Sequence, residues 1–284
     1  MDAWLTYVRE RFSLGVHLLV SGGFAATGVV LGTGRLQPRP LAVSFAGLMV
    51  FFALLRLMDE DKDLDKDRIA HPERPLPRGL LDVGHVRLVI RAAIGLMAAW
   101  SLVAASMTTA AAGAAYAAVT VYLWLMYREF YVGEWLQPRP LLYAVVHQLI
   151  LIPLSGYSVF VASSAPSSRA TALGLSLLTS GAFFAYEVCR KLDPAAHPIL
   201  RTYLHVHGRA GVLAMVAVGM LVAAAGARML AVADSLWPIE VGLVLSLIVI
   251  WLRPSAFKIP ETIAGLGLLA HLWAVPVRSA MSSL

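Results

Sequence analysis

Long uncharged apolar stretches recur along the whole chain, and they restrict its fold more than any other feature. A helix needs about 20 mostly apolar residues to cross a bilayer. Hydrophobic residues make up 59% of the chain and charged residues only 14%, which is too apolar for an ordinary water-soluble domain. The sequence therefore predicts an integral membrane protein. The stretches lie at residues 14–34, 41–55, 92–127, 140–168, 170–186, 210–227 and 262–277, with an eighth at 236–252 that is interrupted by Glu240.

One of these stretches is too long for a single crossing. As one helix, residues 92–127 would extend about 54 Å, whereas the hydrocarbon core is about 30 Å thick. We expect this stretch to fold back near residues 106–113, which gives nine helices. Lipid offers the backbone no hydrogen-bond partners, so each helix must satisfy its own backbone. We interpret residues 1–284 as a single all-α transmembrane domain.

The basic residues are distributed unevenly between the two sides of this predicted bundle. With nine spans, 18 of the 23 lysines and arginines fall on the side of the N-terminus, which the positive-inside rule makes cytoplasmic. This topology explains the net charge of +6, so nucleic acid is not expected as a partner. No cleavable signal peptide is apparent. Cys189 is the only cysteine, which excludes an internal disulfide.

Two polar segments follow the second and sixth predicted spans on this side, at residues 56–91 and 187–209. We name them the first and the second motif segment. They lie four helices apart and can face each other across a ring of helices, which indicates a weak internal duplication. We therefore expect the domain to consist of two pseudo-repeated halves.

The first motif segment contains six carboxylates between Asp59 and Asp67. If the second helix continues through it, Asp59, Asp63 and Asp67 lie above one another on one face. Like charges at this spacing repel each other. Mg²⁺ binds carboxylate, water and phosphate oxygens, and would relieve the repulsion. We predict that the three aspartates bind Mg²⁺; the alternative is a solvated helix end with Lys62 and Lys66 as ion-pair partners.

A proline-rich loop follows the acidic residues, from Arg68 to Gly79. Its arginines carry fork-shaped donors that fit phosphate oxygens. By composition alone the loop can equally be a cytoplasmic connector.

The acidic and proline-rich patterns together resemble the UbiA-type intramembrane prenyltransferases. Members carry Asn/Asp-x3-Asp-x3-Asp at the end of helix 2 and then Arg-Pro-x-Pro-x-Gly, which here reads Arg74-Pro-Leu-Pro-Arg-Gly79. The resemblance implies a bundle around a central cavity open to lipid. It also implies catalytic, Mg²⁺-binding roles for Asp59, Asp63 and Asp67, and diphosphate binding by Arg68 and Arg74.

The second motif segment departs from the family pattern of two aspartates about one turn apart. Glu187 takes the place of the first acid, as a catalytic metal ligand, and Asp193 is the remaining candidate ligand. Arg190 and Lys191 are expected to contact the diphosphate. The alternative is an ordinary positively charged end of a membrane helix.

Further candidates lie at the end of the fourth helix and within the fifth. The resemblance implies that Arg128 contacts the diphosphate. Tyr127, Glu129 and His147 are candidates for binding an acceptor or stabilising a cation, because ionisable groups at membrane depth usually face protein or water. The alternative is that they mark the membrane interface.

The resemblance implies a prenyltransferase that joins an isoprenyl diphosphate to an aromatic or lipophilic acceptor. A second hypothesis is a membrane terpene cyclase of the same type, which needs no acceptor. A transporter would require ionisable residues near the bilayer midplane, whereas they cluster at one face here. We expect a multi-pass cell-membrane enzyme whose active site faces the cytoplasm.

Overall fold

The structure, a computed structural model, describes residues 3–282, and these form helices and turns without a β-strand. Nine helices in this part of the chain are long and apolar enough to cross a membrane. The predicted all-α, multi-pass architecture is confirmed. We number the helices as spans 1 to 9: Leu14–Thr33, Pro38–Lys62, Val83–Met107, Ala110–Tyr127, Pro140–Phe160, Ser167–Cys189, Tyr203–Met229, Ala233–Leu252 and Pro254–Ser282.

Several shorter elements complete the chain. Span 5 consists of two consecutive helices, Pro140–Gln148 and Leu151–Phe160, and span 8 of Ala233–Ser246 and Val249–Leu252. Span 9 begins with a 3₁₀ turn and continues as the helix Lys258–Ser282. The remaining short helices and 3₁₀ turns are Ala3–Arg11, Leu64–Ala70, Glu129–Tyr131, Gly133–Leu136 and Pro198–Leu200.

The long apolar stretch folds back where the sequence predicts it. Span 3 ends at Met107 and span 4 begins at Ala110. Thr109 caps the new helix, since its hydroxyl accepts a hydrogen bond from the Ala112 backbone N–H at 3.1 Å. The same hydroxyl donates to the Phe160 carbonyl at 2.7 Å. The turn is thereby fixed to the end of span 5, and its first free backbone donors are satisfied.

The spans form a closed ring, because each packs against the next and span 9 packs against span 1. Two hydrogen bonds join spans 1 and 9 where the ring closes. The Thr27 hydroxyl donates to the Leu272 carbonyl at 2.6 Å, and the Trp273 indole donates to the Leu19 carbonyl at 3.0 Å. Span 1 also crosses span 5 closely. A β-carbon at Gly28 would lie 2.3 Å from the Ser158 carbonyl oxygen, so a small residue is needed there.

Both motif segments lie at the same end of the bundle, which we name the motif face. The short helix Leu64–Ala70 of the first segment packs against the turn Pro198–Leu200 of the second. The N-terminal helix Ala3–Arg11 also lies here, because Glu60 at the end of span 2 pairs with Arg11 at 2.7 Å. The fold therefore brings together the two segments that the sequence analysis singled out.

Candidate functional site

The acidic face of span 2 continues beyond the end of the span. The helix ends at Lys62 and a short helix resumes at Leu64. The Asp63 N–H still donates to the Asp59 carbonyl at 3.0 Å, and the Asp67 N–H to the Asp63 carbonyl at 2.8 Å. Helical hydrogen bonding thus runs through the junction. The three aspartates follow one another at successive turns, as expected.

Two of the six carboxylates serve to hold helices together. Glu60 is buried and pairs with both Arg11 and Arg56, at 2.7 and 2.5 Å. Asp61, which is also buried, pairs with Arg87 of span 3 at 3.0 Å. Buried carboxylates need such partners. These two acids therefore fasten span 2 to its neighbours, and Glu60 does so through Oε1 alone, since its Oε2 finds no hydrogen-bond partner among residues 3–282.

Asp67 also has a partner. Arg74 donates to both of its carboxylate oxygens, at 2.7 and 2.6 Å, and Asp67 is buried. The pair ties the Arg-Pro loop to the short helix. Arg68 pairs instead with the exposed Asp65 at 3.1 Å. The metal-binding role of Asp67 and the diphosphate-binding roles of Arg68 and Arg74 stay predictions, and each requires an existing ion pair to open.

Asp59 and Asp63 are the carboxylates that remain available. Asp59 is 39% exposed and contacts Lys62 at 3.4 Å. Asp63 has no hydrogen bond or ion pair through its side chain anywhere in residues 3–282. Burial raises the pKa of the Asp63 carboxyl above its ordinary value, although Lys62 opposes this shift. Asp63 is half-buried, and a carboxylate partly removed from water without a partner is costly unless a cation binds it.

The second motif segment has the opposite charge balance. Glu187, at the end of span 6, pairs with both Arg190 and Lys191 at 2.5 Å. The charge of Glu187 raises the pKa of the Arg190 guanidinium above its ordinary value. Together the three side chains carry a net charge of about +1 at neutral pH. Glu187 therefore orients two cations, one on each of its carboxylate oxygens.

Charged residues of the two segments lie close enough to influence each other. Lys191 is among the charges that act on Asp63, and Asp59 is among those that act on Arg190. The expectation that the segments meet across the ring is confirmed. An acidic pair on span 2 thus lies opposite a cationic pair after span 6.

Aromatic rings lie below this charged pair, towards the middle of the spans. Phe52 is seven residues before Asp59 and Phe183 four residues before Glu187, so each lies on the same side of its helix as the charged residue. Their rings stack with centroids 6.2 Å apart and an interplanar angle of 18°. A stacked aromatic pair therefore lies one to two helical turns beneath the charged groups.

Side chains from the first half of span 5 lie beside the end of span 2. Tyr143 lies beside Lys62, whose ammonium is 5.5 Å from the centre of its ring, and the ring of His147 stacks on Tyr143 at 4.0 Å. The Glu129 carboxylate accepts a hydrogen bond from the Tyr143 hydroxyl at 3.3 Å. Glu129 also has a positive φ of 49°, which costs energy for a residue with a side chain.

His147 has one satisfied and one unsatisfied ring nitrogen. Nδ1 lies 2.7 Å from the Tyr143 carbonyl, which can only accept, so Nδ1 carries the proton and Nε2 is an acceptor in the neutral ring. Nε2 is buried and finds no hydrogen-bond partner among residues 3–282. An orphaned acceptor of this kind is suited to a ligand with an O–H or N–H group.

Three other predicted residues point elsewhere. The Tyr127 hydroxyl donates to Asp61 at 2.5 Å. Arg128 lies over the ring of Tyr131, 5.5 Å from its centre, and Asp193 accepts a hydrogen bond from the Ala195 N–H at 2.9 Å. The structure does not bring these side chains to the acidic pair, and their predicted roles stay predictions.

Sequence reasoning did not find Lys62 as a member of the site, nor Tyr143, Phe52 and Phe183. The helical register was sufficient for Lys62 and Phe52, since both lie within one or two turns of Asp59. Nothing in the sequence placed span 5 against span 2, so no sequence pattern indicated that Tyr143 lies at the site.

The donor set can be compared with the needs of Mg²⁺. Within the described residues, no group of three histidine, cysteine, aspartate or glutamate side chains is close enough to hold a metal ion. Mg²⁺, however, usually takes one or two carboxylates and fills its other positions with water and substrate phosphate oxygens. Asp59 and Asp63 fit this mode of binding.

Comparison with known proteins supports the fold. A scan against protein-family models and a search of curated proteins found no match. A solved structure from work on digeranylgeranylglyceryl phosphate synthase in membranes matches with a TM-score of 0.59 and 14% identity, covering 96% of this chain and 99% of that chain. The match supports the all-α bundle of membrane-spanning helices that the sequence predicts.

Proposed function

We propose that the protein is a Mg²⁺-dependent intramembrane prenyltransferase that ionises an isoprenyl diphosphate and transfers the prenyl group to an aromatic or lipophilic acceptor. The observation that carries this proposal is the position of Asp59 and Asp63, at the end of span 2, opposite the cationic Arg190 and Lys191 at the same face of the bundle. Similarity in fold to a synthase of this type supports it.

The charge arrangement suits a diphosphate. Arg190 and Lys191 offer donors to its oxygens, and a guanidinium can bind two of them at once. Asp59 and Asp63 would hold Mg²⁺ against the same group. Bound Mg²⁺ would neutralise the negative charge that builds on the leaving diphosphate. Glu187 holds both cations in place, at 2.5 Å from each, so that they need not reorganise during the reaction.

The aromatic rings suit the other product of ionisation. Loss of diphosphate leaves an allylic cation, and the faces of Phe52 and Phe183 can stabilise positive charge. The apolar walls of the spans exclude water that would otherwise capture the cation. A prenyl chain would lie along these rings with its diphosphate at the motif face, which we propose faces the cytoplasm.

The orphaned Nε2 of His147 favours transfer to an acceptor over cyclisation. It can accept a hydrogen bond from a hydroxyl or amine group of the acceptor and take up its proton as the new bond forms. A prenyl chain that cyclises on itself offers no O–H or N–H group to this nitrogen, and the proton it finally loses is a C–H proton of the cation. Tyr143 and Glu129 would position this part of the site.

Replacement of Asp63 with Asn tests the shared ionisation step. We expect release of pyrophosphate from prenyl diphosphates of ten to twenty carbons, with Mg²⁺, to fall by about 10²- to 10³-fold. Asp82→Asn is the matched control, since Asp82 caps span 3 on the same face and Asn caps equally well. Unchanged pyrophosphate release in Asp63→Asn would refute the proposed function.

Product analysis separates the two enzymes of this type. With a prenyl diphosphate alone, a cyclase releases a terpene hydrocarbon or alcohol, whereas a transferase requires an acceptor for turnover. We expect no terpene from the diphosphate alone and a prenylated product once a phenolic or lipophilic acceptor is added. A terpene formed without any acceptor would establish the cyclase instead.

A further inference from the structure

A second charged cavity opens at the motif face between the ends of spans 2, 3 and 4. It has a volume of about 460 Å³. We name it the basic cavity. It adjoins the proposed diphosphate site through Lys62, but Asp59, Asp63, Arg190 and Lys191 do not line it. Its lining residues are Asp61, Lys62, Asp65, Arg87, Ile90, Arg91, Trp124, Tyr127 and Arg128.

The charges of the basic cavity do not balance internally. Four cationic side chains line it against two carboxylates. Asp61 is already held by Arg87 and by the Tyr127 hydroxyl, at 3.0 and 2.5 Å, and Asp65 pairs with an arginine outside the cavity. Arg91 and Arg128 form no ion pair with any carboxylate in residues 3–282. Two guanidinium groups are thus left to bind an anion.

The surroundings of the cavity distinguish a lipid from a free anion. Leu88 and Val121, each one turn from a lining residue, are 57% and 61% exposed on the outer surface of spans 3 and 4. This apolar surface would contact acyl chains. Trp124 contributes an indole at the membrane interface, where tryptophan is enriched. Charged and lipid-facing surfaces are therefore continuous here.

We propose that the basic cavity binds the phosphate headgroup of an anionic glycerophospholipid. Arg91 and Arg128 bind the phosphate oxygens through their forked donors, and the acyl chains lie against spans 3 and 4. Basic pockets between transmembrane helices commonly bind anionic lipids in this way. The site does not depend on the proposed enzymatic function.

Native mass spectrometry of the full-length protein in a neutral detergent tests the site. Phosphatidylglycerol and phosphatidylcholine with identical acyl chains are titrated separately, and we expect phosphatidylglycerol to bind about tenfold more tightly, a difference of about 1.4 kcal/mol. The double variant Arg91→Gln, Arg128→Gln should lose this preference. Arg253→Gln, which removes an exposed charge elsewhere, should retain it.

Further measurements make the test decisive. Inorganic pyrophosphate at millimolar concentration should leave phosphatidylglycerol bound, and Arg91→Lys should keep most of the preference because it keeps the charge. Both arginines are exposed, so replacing either one alone should leave the fold intact. If the double variant does not fold, the lipid preference of the two single variants decides the question. Equal binding of the two lipids, an unchanged preference in the Gln variants, or displacement by pyrophosphate would each overturn the proposal.

Discussion

The two motif segments lie at the same face of the bundle but have opposite electrostatic character. In the first, an excess of acids is mostly neutralised by structural arginines, which leaves Asp59 and Asp63. In the second, one acid holds two cations, Arg190 and Lys191. A symmetric site would place acids on both sides of a bound diphosphate. Under the proposed function the protein itself supplies positive charge on one side, so we expect metal to be needed only on the other.

The largest expected effect is loss of activity on removal of Mg²⁺. Arg190 and Lys191 lie opposite the acidic pair and do not neutralise its repulsion of a diphosphate. We expect EDTA to abolish pyrophosphate release and added Mg²⁺ to restore it fully. Activity that persists after complete chelation would show that Arg190 and Lys191 alone can stabilise the leaving diphosphate. The first motif segment would then have no metal-binding role.

Replacement of Arg190 with Gln is expected to have the next largest effect. Loss of one charged donor to a developing negative charge typically costs about 10²-fold in rate. We expect that fall in pyrophosphate release at saturating Mg²⁺. Arg201→Gln, an exposed change in the same segment, is the control. Equal activities of the two variants would mean that the diphosphate does not contact the second segment.

Glu187→Gln distinguishes an orienting role from a metal-binding one. Without its charge Arg190 and Lys191 lose their fixed positions, so we expect roughly a tenfold lower rate. The Mg²⁺ concentration for half-maximal activity should stay unchanged, whereas Asp59→Asn should raise it. A raised Mg²⁺ requirement in Glu187→Gln would restore Glu187 as a metal ligand and make the two segments alike.

Glu60→Gln tests whether part of the first segment is structural. Glu60 is buried between Arg11 and Arg56, and loss of its charge removes two charge-assisted hydrogen bonds. We expect the protein to be destabilised by about 2 kcal/mol, measured as a lower Tm in detergent. The folded variant should keep its Mg²⁺ requirement; a shifted requirement would place Glu60 in the site.

The smallest effect concerns Glu10 of the N-terminal helix. Arg78 donates two hydrogen bonds to it at 2.9 Å and lowers the pKa of the Glu10 carboxyl. A lowered pKa stabilises the fold above the unfolded pKa and loses that contribution as the pH falls through the folded value. Glu10→Gln should therefore lower Tm slightly at pH 7, less than Glu60→Gln does, and the difference should shrink as the pH falls below the ordinary Glu pKa of about 4.3. A difference that stayed constant over that range would exclude the ion pair as its cause.

Sequence alone predicted the spans well, because apolar length is a local property that the bilayer selects directly. The fold-back at Thr109 followed from length and was confirmed. Helical spacing likewise placed Asp59, Asp63 and Asp67 at successive turns. These inferences need only the chain within one or two helices.

The sequence did not predict which arginine pairs with which carboxylate of the first motif segment. Six acids look equivalent in sequence, yet Glu60, Asp61 and Asp67 are occupied by arginines up to 49 residues away. Which acid stays available depends on where Arg11, Arg74 and Arg87 arrive after folding. Long-range packing decides this, and a single sequence carries no signal for it.

The hydrogen bond between spans 1 and 9 bears on the order in which the protein assembles. Thr27 and Leu272 are separated by 245 positions, so this contact forms only after almost the whole chain has been made. Span 1 already packs against spans 5 and 6, and spans 2, 5 and 6 carry the charged residues of the site. The last spans are therefore expected to complete a bundle whose charged residues are already enclosed by the earlier ones.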